Sequence, residues 1–312
     1  MGRYSPVVVF TYNRLHHTQQ TLNALNECEF ASETDLYIFC DSYKSEAGRK
    51  AVEDVRCFVD SFARQSRFKH VAVTKALTNK GLAKSIIDGV SEIIEKNGKV
   101  IVVEDDLVAS KYFLRYMNEA LEFYENDQSI WAISGYSFPM VALKQYEHDI
   151  YLSGRGCSWG WATWLNRWNT IDWNAKEYDR FKHNWLLRKQ FGSWGADLPP
   201  LLDYQMNLDV NSWAVKWCFS AFNQGKMTVY PKRSYLKNCG IDGTGVHSKN
   251  TTTTRFDTFY DDAQDYSCKF ERTQIDKTIQ NEFAKKYSLG LLNDLKEQVK
   301  AFLVRNHLWR RL

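Results

Sequence analysis

Through its first hundred residues the chain alternates short apolar runs with amphipathic stretches. Pro6–Tyr12 (PVVVFTY) is apolar on both faces, as a buried strand is. Leu15, Leu22 and Leu25 follow at roughly helical spacing, with Asn13 in position to cap. Leu36–Cys40 (LYIFC) reads as a second strand that ends at Asp41, and Val55, Phe58, Val59 and Phe62 mark one face of a helix across Val52–Phe62. Phe68–Val73 reads as a third strand. After Asn79–Ser85 (NKGLAKS), residues Leu82, Ile86, Ile87, Val90, Ile93 and Ile94 form the apolar face of another helix. Lys99–Leu107 (KVIVVEDDL) then sets four β-branched residues ahead of Glu104, Asp105 and Asp106. A β-α-β-α-β alternation of this kind predicts a parallel, doubly wound sheet with right-handed crossovers.

The second half is less regular. A helix from Ser110 carries Tyr112, Phe113, Tyr116, Met117, Ala120 and Leu121 as a core-facing stripe, Ile130–Ser134 and Ile150–Leu152 read as strands, and Gly135–His148 between them reads as loop. Trp161, Trp164, Leu165 and Trp168 recur at i, i+3, i+4 and i+7, which predicts a helix with a buried aromatic face. Helices are expected over Tyr178–Phe191, over Leu198–Leu208 with an early break at Pro199-Pro200, and from Asn211 or Ser212 through Trp217 to a stop at Gly225. Met227–Tyr230 is a strand, and Lys237–His247 (KNCGIDGTGVH) a glycine-rich loop ending in an imidazole. Beyond a polar Thr251–Thr254 run, two amphipathic helices are marked by Ile275, Ile279 and Phe283 and by Leu291, Leu292, Leu295, Val299, Phe302 and Leu303.

Composition narrows the class. At 312 residues, with 44% hydrophobic and 25% charged residues, the chain has the make-up of a soluble globular protein large enough for a full core. A net charge of +4 with dispersed basic residues, and no nucleic-acid-binding signature, argue against DNA or RNA as partner. Seven cysteines without CxxC spacing point to reduced thiols in a cytoplasm, and no secretory leader or membrane-spanning run is evident. Aromatics at 15%, eleven of them Trp, suit sugar-ring surfaces as well as ordinary core.

The chemistry concentrates in four places. Glu104, Asp105 and Asp106 stand at the carboxyl end of a central strand, where open α/β sheets bind ligands; adjacent carboxylates that repel one another call for a cation, and oxygen ligands suit Mg²⁺ or Mn²⁺. A solvated acidic turn is the plain alternative. Asn79–Ser85 offers amide, hydroxyl and glycine backbone donors ahead of a helix, a place for a sugar or phosphate or simply a helix start. Asp209, ahead of the helix at Asn211–Trp217, is placed to act as a base or to meet the helix dipole. His247 ends a run of three close glycines, in a ligand or structural role. Cys157 reads as a small buried thiol rather than a nucleophile. The basic, aromatic tail Arg305–Arg311 suits either an anionic membrane surface or packing on a protein.

In order and placement, VVVFTYNR (Val7–Arg14), NKGLAKS (Asn79–Ser85), EDD (Glu104–Asp106) and RGCSWGWATW (Arg155–Trp164) resemble the GT-A fold glycosyltransferases. The resemblance is closest to bacterial polysaccharide-type transferases related to N-acetylglucosaminyltransferase I, and runs from Pro6 to about His247. It implies a Rossmann-like α/β fold with a mixed central sheet flanked by helices, spanning residues 1–250 in a nucleotide-binding half (1–107) and an acceptor half (108–250), with a helical extension over 251–312. It implies that Thr11, Asn13, Arg14, Asp41, Lys80, Ser85, Glu104, Asp105 and Arg155 hold the nucleotide-sugar donor, that Asp106 and His247 approach the metal, and that Mn²⁺ or Mg²⁺ is the cofactor. Where the related eukaryotic enzyme carries an acidic pair before a Trp, this chain has Asn211-Ser212 before Trp213, so Asp209 is the substitute base. The implied activity is inverting transfer from a UDP-linked sugar to a glycan or lipid-linked acceptor in surface-polysaccharide synthesis, in the cytoplasm at the inner face of the plasma membrane. The rivals are a sugar-nucleotide nucleotidyltransferase, whose glycine-rich loop after the first strand is missing from Val9–His16, and a non-catalytic carbohydrate-binding protein.

Overall fold

In the computed structural model the described residues are 4–208, 210, 212–242, 256, 258, 262, 265–288 and 290–309. The strands are β1 (Val7–Thr11), β2 (Asp35–Cys40), β3 (His70–Lys75), β4 (Lys99–Glu104), β5 (Leu107–Ala109), β6 (Ile130–Ser134), β7 (Ile150–Ser153), β8 (Trp161–Trp164), β9 (Met227–Pro231) and β10 (Leu236–Asn238). The α-helices are α1 (Leu15–Asn26), α2 (Glu46–Gln65), α3 (Leu82–Asn97), α4 (Phe113–Phe123), α5 (Leu165–Trp168), α6 (Tyr178–Lys182), α7 (Trp185–Gly192), α8 (Leu198–Asn207), α9 (Trp213–Asn223), α10 (Lys277–Lys285) and α11 (Leu291–Arg305).

Eight strands form one mixed sheet in the order β3-β2-β1-β4-β8-β6-β9-β7, and β5 and β10 make a small second sheet. β1 to β4 are parallel, β8 runs antiparallel to both β4 and β6, β6 and β9 are parallel, and β7 is an antiparallel edge. Helices cover both faces, which is the Rossmann-like, GT-A-type layout expected. Strand alternation divides the core. Val7, Val9, Ile101 and Val103 face α1, α2 and α4, whereas Val8, Phe10, Val100 and Val102 face α3 and α9.

The chain leaves β1 in one direction to form β2 and β3, and β4 adds on the other side of β1. The carboxyl ends of β1 and β4 therefore flank a topological switch point, where a crevice forms because the following connections diverge. Register sets Phe10 opposite Glu104 and Thr11 opposite Cys40, so residues 11–14, 41 and 104–106 emerge at one edge.

Three elements differ from the reading of periodicity. Trp161–Trp164 is a strand, inserted antiparallel between β4 and β6 with Val102 opposite Trp161 and Lys99 opposite Trp164, and only Leu165–Trp168 is helical. Residues three apart share a face in a helix but lie on opposite faces in a strand. Trp164 packs with Ile101 on one side of the sheet, and Trp161 packs with Trp168, Trp213 and Trp217 on the other. The helix expected over Tyr178–Phe191 divides into α6 and α7, because Asn184 leaves helical geometry and its side chain caps α7 by accepting from the Leu186 and Leu187 amides. Pro199 and Pro200 do not break α8: they sit in its first turn, where missing amides cost nothing.

The C-terminal helices are tied to this body in different ways. α10 sends Ile279 and Phe283 into the main core, where Phe283 meets Phe138, Tyr151 and Tyr230. α11 lies along α8. No helix among the described residues is long and apolar enough to cross a membrane, and all seven cysteines are free thiols.

Candidate active site

Asp105 and Asp106 leave β4 at the switch point and converge on a single nitrogen. Arg14 Nη2 donates to Asp105 Oδ1 at 2.5 Å and to Asp106 Oδ2 at 2.8 Å. The three side chains are largely buried, at 19%, 8% and 15% exposure for Arg14, Asp105 and Asp106, so the attraction is little screened. Asp105 Oδ2 also accepts from the Tyr12 amide at 3.4 Å. Arg14 Nη1, buried beside the same carboxylates, has no hydrogen-bond partner among the described residues.

Charge is crowded here. Burial pushes the Glu104 carboxyl up to about 8, with Asp106 and Asp105 adding to the rise and Arg14 opposing it. Burial likewise raises Asp105 against the pull of Arg14. Burial works against charge on Arg14, but Asp105 and Asp106 hold it firmly protonated.

The segment after β10 closes over Asp106. The Cys239 amide donates to the Asp106 carbonyl at 2.8 Å, and Gly240 lies so close that a Cβ there would stand 2.1 Å from Asp106 Oδ2. His17, in the first turn of α1, faces Asp242 Oδ2 at 3.2 Å and the Cys239 carbonyl at 3.2 Å. The sequence reading missed His17, Gly240 and Asp242. His17 had a signal, since it stands in the first turn of the helix that opens directly after Arg14.

Asp41 organises the next wall. Its carboxylate accepts four hydrogen bonds, from the Ser42 amide (2.8 Å), Asn79 Nδ2 (3.0 Å), the Lys80 amide (2.9 Å) and the Gly81 amide (2.9 Å). All the lone pairs of Asp41 are thus engaged in holding Asn79–Gly81 at the end of β2, and Gly81 turns into α3 at φ 76°, a left-handed geometry that suits glycine. Lys80 Nζ pairs with Asp88 at 3.2 Å, and the backbone amide of Ser85 closes the first turn of α3 on the Gly81 carbonyl.

The remaining expected residues distribute as follows. Thr11 is buried at the end of β1, its carbonyl accepting from the Asp41 amide. Asn13 does not cap α1; the chain turns at Arg14 instead, leaving Asn13 exposed at the crevice edge. Arg155 is not joined to the carboxylates. It is held bidentate by Asp197 (2.7 and 2.9 Å), and its guanidinium lies 3.4 Å over the Tyr287 ring. With Trp159, Leu198, Leu201, Val215 and Tyr287 it lines a separate, mostly apolar cleft. Cys157, in the same cleft, has its thiol pushed up to about 12 by burial, as suits an inert buried sulfur. Asp209 and His247 lie outside the described residues.

Asp105 and Asp106 are the residues here that could hold a divalent cation. No group of three or more metal-binding side chains occurs among the described residues. Mg²⁺ and Mn²⁺, however, commonly take one or two carboxylates from the protein and the remaining ligands from substrate phosphates and water. Asp105 and Asp106, already drawn to one cationic point beside an unpaired guanidinium nitrogen, fit that mode.

No protein-family model and no curated protein matches the chain. Among solved structures, S. aureus TarS aligns with a TM-score of 0.41 at 14% identity, over 75% of this chain and 36% of its own, so this chain spans about a third of that protein's length. A likeness at that level carries no argument about activity.

Proposed function

We propose that the protein is a metal-dependent glycosyltransferase that moves a sugar from a UDP-linked donor to a glycan or lipid-linked acceptor, with inversion. The observation that carries this reading is the meeting of Asp105, Asp106 and Arg14 at the switch point of a doubly wound sheet, the crevice where such sheets take nucleotides. The sequence resemblance to the N-acetylglucosaminyltransferase I group supports the choice of reaction.

Asp106, with Asp105 beside it, would hold Mn²⁺ or Mg²⁺ together with the donor's diphosphate. When bound, the cation supplies Lewis-acid stabilisation of the negative charge that accumulates on the departing diphosphate. Arg14 would contribute a donor of its own, since Nη1 is buried and unpaired beside the carboxylates. The loop Asn79–Gly81, pinned by Asp41, forms a rigid wall against which ribose or sugar is oriented. The acceptor hydroxyl needs a carboxylate base on the opposite side of the sugar. Asp209 is the residue proposed. α9, which follows it closely, runs into β9 parallel to β6 and so begins at the same carboxyl edge of the sheet. The apolar cleft walled by Trp159 and Tyr287 is offered as the acceptor side, because aromatic faces suit sugar rings.

Calorimetry with UDP, with and without Mn²⁺, tests the reading together with donor hydrolysis. Binding that requires Mn²⁺ and disappears in Asp106→Ala is expected. UDP binding indifferent to both the cation and the substitution removes the transferase reading. Cation-dependent binding with no turnover of any nucleotide sugar or acceptor leaves a carbohydrate-binding protein.

A further inference from the structure

Amphipathic helices at a protein surface normally turn their apolar stripe inward, and α11 does the reverse. Its contact with the body is made by small and polar groups. Ala301 and Val304 are buried, Glu297 accepts from the Tyr204 hydroxyl at 2.7 Å, Asp294 accepts from the Ser288 hydroxyl, and Gln298 donates to the Ala196 carbonyl at 3.2 Å. Arg305 meets Asp203 of α8 at 3.4 Å, and Arg188 of α7 holds the same buried carboxylate at 2.7 Å. The helix is therefore fixed in rotation, and the outward face is a consequence of packing rather than of loose attachment.

That outward face is a continuous apolar row at i, i+1, i+4, i+8 and i+11. Leu291 is 86% exposed, Leu292 73%, Leu295 59%, Val299 53% and Phe302 49%, and exposed Leu308 and Trp309 continue past the helix end. Isolated exposed leucines need no explanation, but a row of this length on one fixed helix marks a docking surface. Charge identifies the occupant. Of the two acids of the helix, Glu297 is turned to Tyr204 of α8 and Asp294 to Ser288 in the turn before the helix, and Lys300 lies on the body side over the Tyr204 ring, whereas Lys296 stands exposed at the border of the row. Arg310 and Arg311 follow in the sequence. Two copies of the chain meeting through this face would bring their Lys296 ammonium groups to the same seam. An anionic surface would not.

We infer that α11 lays the protein on an anionic lipid bilayer, its leucine row in the acyl-chain boundary and Lys296 at the headgroups. The helix lies in the plane of the interface and does not span it. The inference does not depend on the transferase reading, since vesicle binding requires no nucleotide.

The full chain is floated with vesicles of phosphatidylcholine alone and of phosphatidylcholine with about one-third phosphatidylglycerol, at low and high salt. Partitioning onto the mixed vesicles is expected, weaker on the neutral ones and weakened by salt. Leu295→Glu with Val299→Glu, both at exposed positions and checked by an unchanged Tm, is expected to lower partitioning at least roughly tenfold, because charge in the acyl boundary opposes insertion. Lys296→Gln is expected to reduce the preference for anionic over neutral vesicles about fivefold while leaving the neutral binding in place. Failure to float with either vesicle overturns the inference, as does floating that the double Glu variant retains. Self-association of the wild type that the double Glu variant abolishes, without vesicle binding, assigns the face to a second copy instead.

Discussion

Replacing Arg14 by Met keeps most of the side chain's bulk and removes the positive charge shared by Asp105 and Asp106. In the metal-free protein this leaves two adjacent buried carboxylates facing one another, with Glu104 next in sequence. Removing one partner of a buried ion pair costs on the order of 3–5 kcal/mol, and since Arg14 and Asp106 keep some exposure (19% and 15%) the lower figure applies, about 3 kcal/mol. In a chain of this length about 2 °C of Tm accompanies each kcal/mol, so Arg14→Met lowers Tm by about 6 °C in the presence of a chelator. Mn²⁺ then acts on the variant as a replacement charge. At a hundredfold excess over its Kd it returns about 2.7 kcal/mol, close to what was lost. The same cation gives the wild type a smaller shift in the absence of UDP, because Arg14 already occupies the carboxylates. Turnover should not return with stability, because Nη1 is also gone. The assay is thermal unfolding of both proteins across a Mn²⁺ series, with and without UDP. A variant as stable as the wild type without metal, or one that Mn²⁺ stabilises no more than the wild type, refutes the claim that guanidinium and cation answer to the same pair of carboxylates.

Three further outcomes are expected. Gly240→Ala inserts a methyl against Asp106 Oδ2, Cγ and Cβ, so UDP–Mn²⁺ affinity measured by calorimetry should fall about tenfold and Tm by roughly 2–6 °C, since a carboxylate held by Arg14 and the Cβ that carries it must both give way. Asp41→Ala removes an acceptor for four donors and should cost about 3 kcal/mol in chemical denaturation, and it should raise the KM for the nucleotide sugar more than it lowers kcat, because the loop it releases binds rather than reacts. Glu104 gives a pH signature. Its folded-state carboxyl, near 8, lies above its unfolded value, so the native state holds the extra proton; that contribution is complete below about pH 4.5 and is lost as pH rises through about 8. Without metal, Tm should therefore decline between about pH 5 and pH 9, and Glu104→Gln should flatten the decline.

How far the sequence discloses this molecule depends on whether the deciding interactions are local. Strands β1 and β4 are written in β-branched runs and β2 in the apolar run LYIFC, and the acids at the end of β4 declare themselves because three neighbouring carboxylates have few harmless uses. Trp161–Trp168 could not be read correctly from spacing, since a strand with one Trp on each face followed by a helical turn reproduces the i, i+3, i+4, i+7 pattern; what selects the strand is the pairing of Trp161 with Val102 and of Trp164 with Lys99, across a gap of some sixty residues. Asp41 was legible as an acid at a strand end, but not as the anchor of Asn79–Gly81, because that bond set joins two loops separated by a whole α-β unit. Arg155 shows the same limit from the other side. A cation beside glycines suggests an anionic ligand, yet a buried guanidinium satisfies itself with whatever carboxylate and aromatic face the fold brings, here Asp197 and Tyr287. At α11 the apolar row was visible in sequence and its direction was not. Only the anchoring of Glu297, Ala301, Val304 and Arg305 on α8 and its neighbours turns the leucines outward, and so the partner of that face follows from the polar side of the helix rather than from its apolar one.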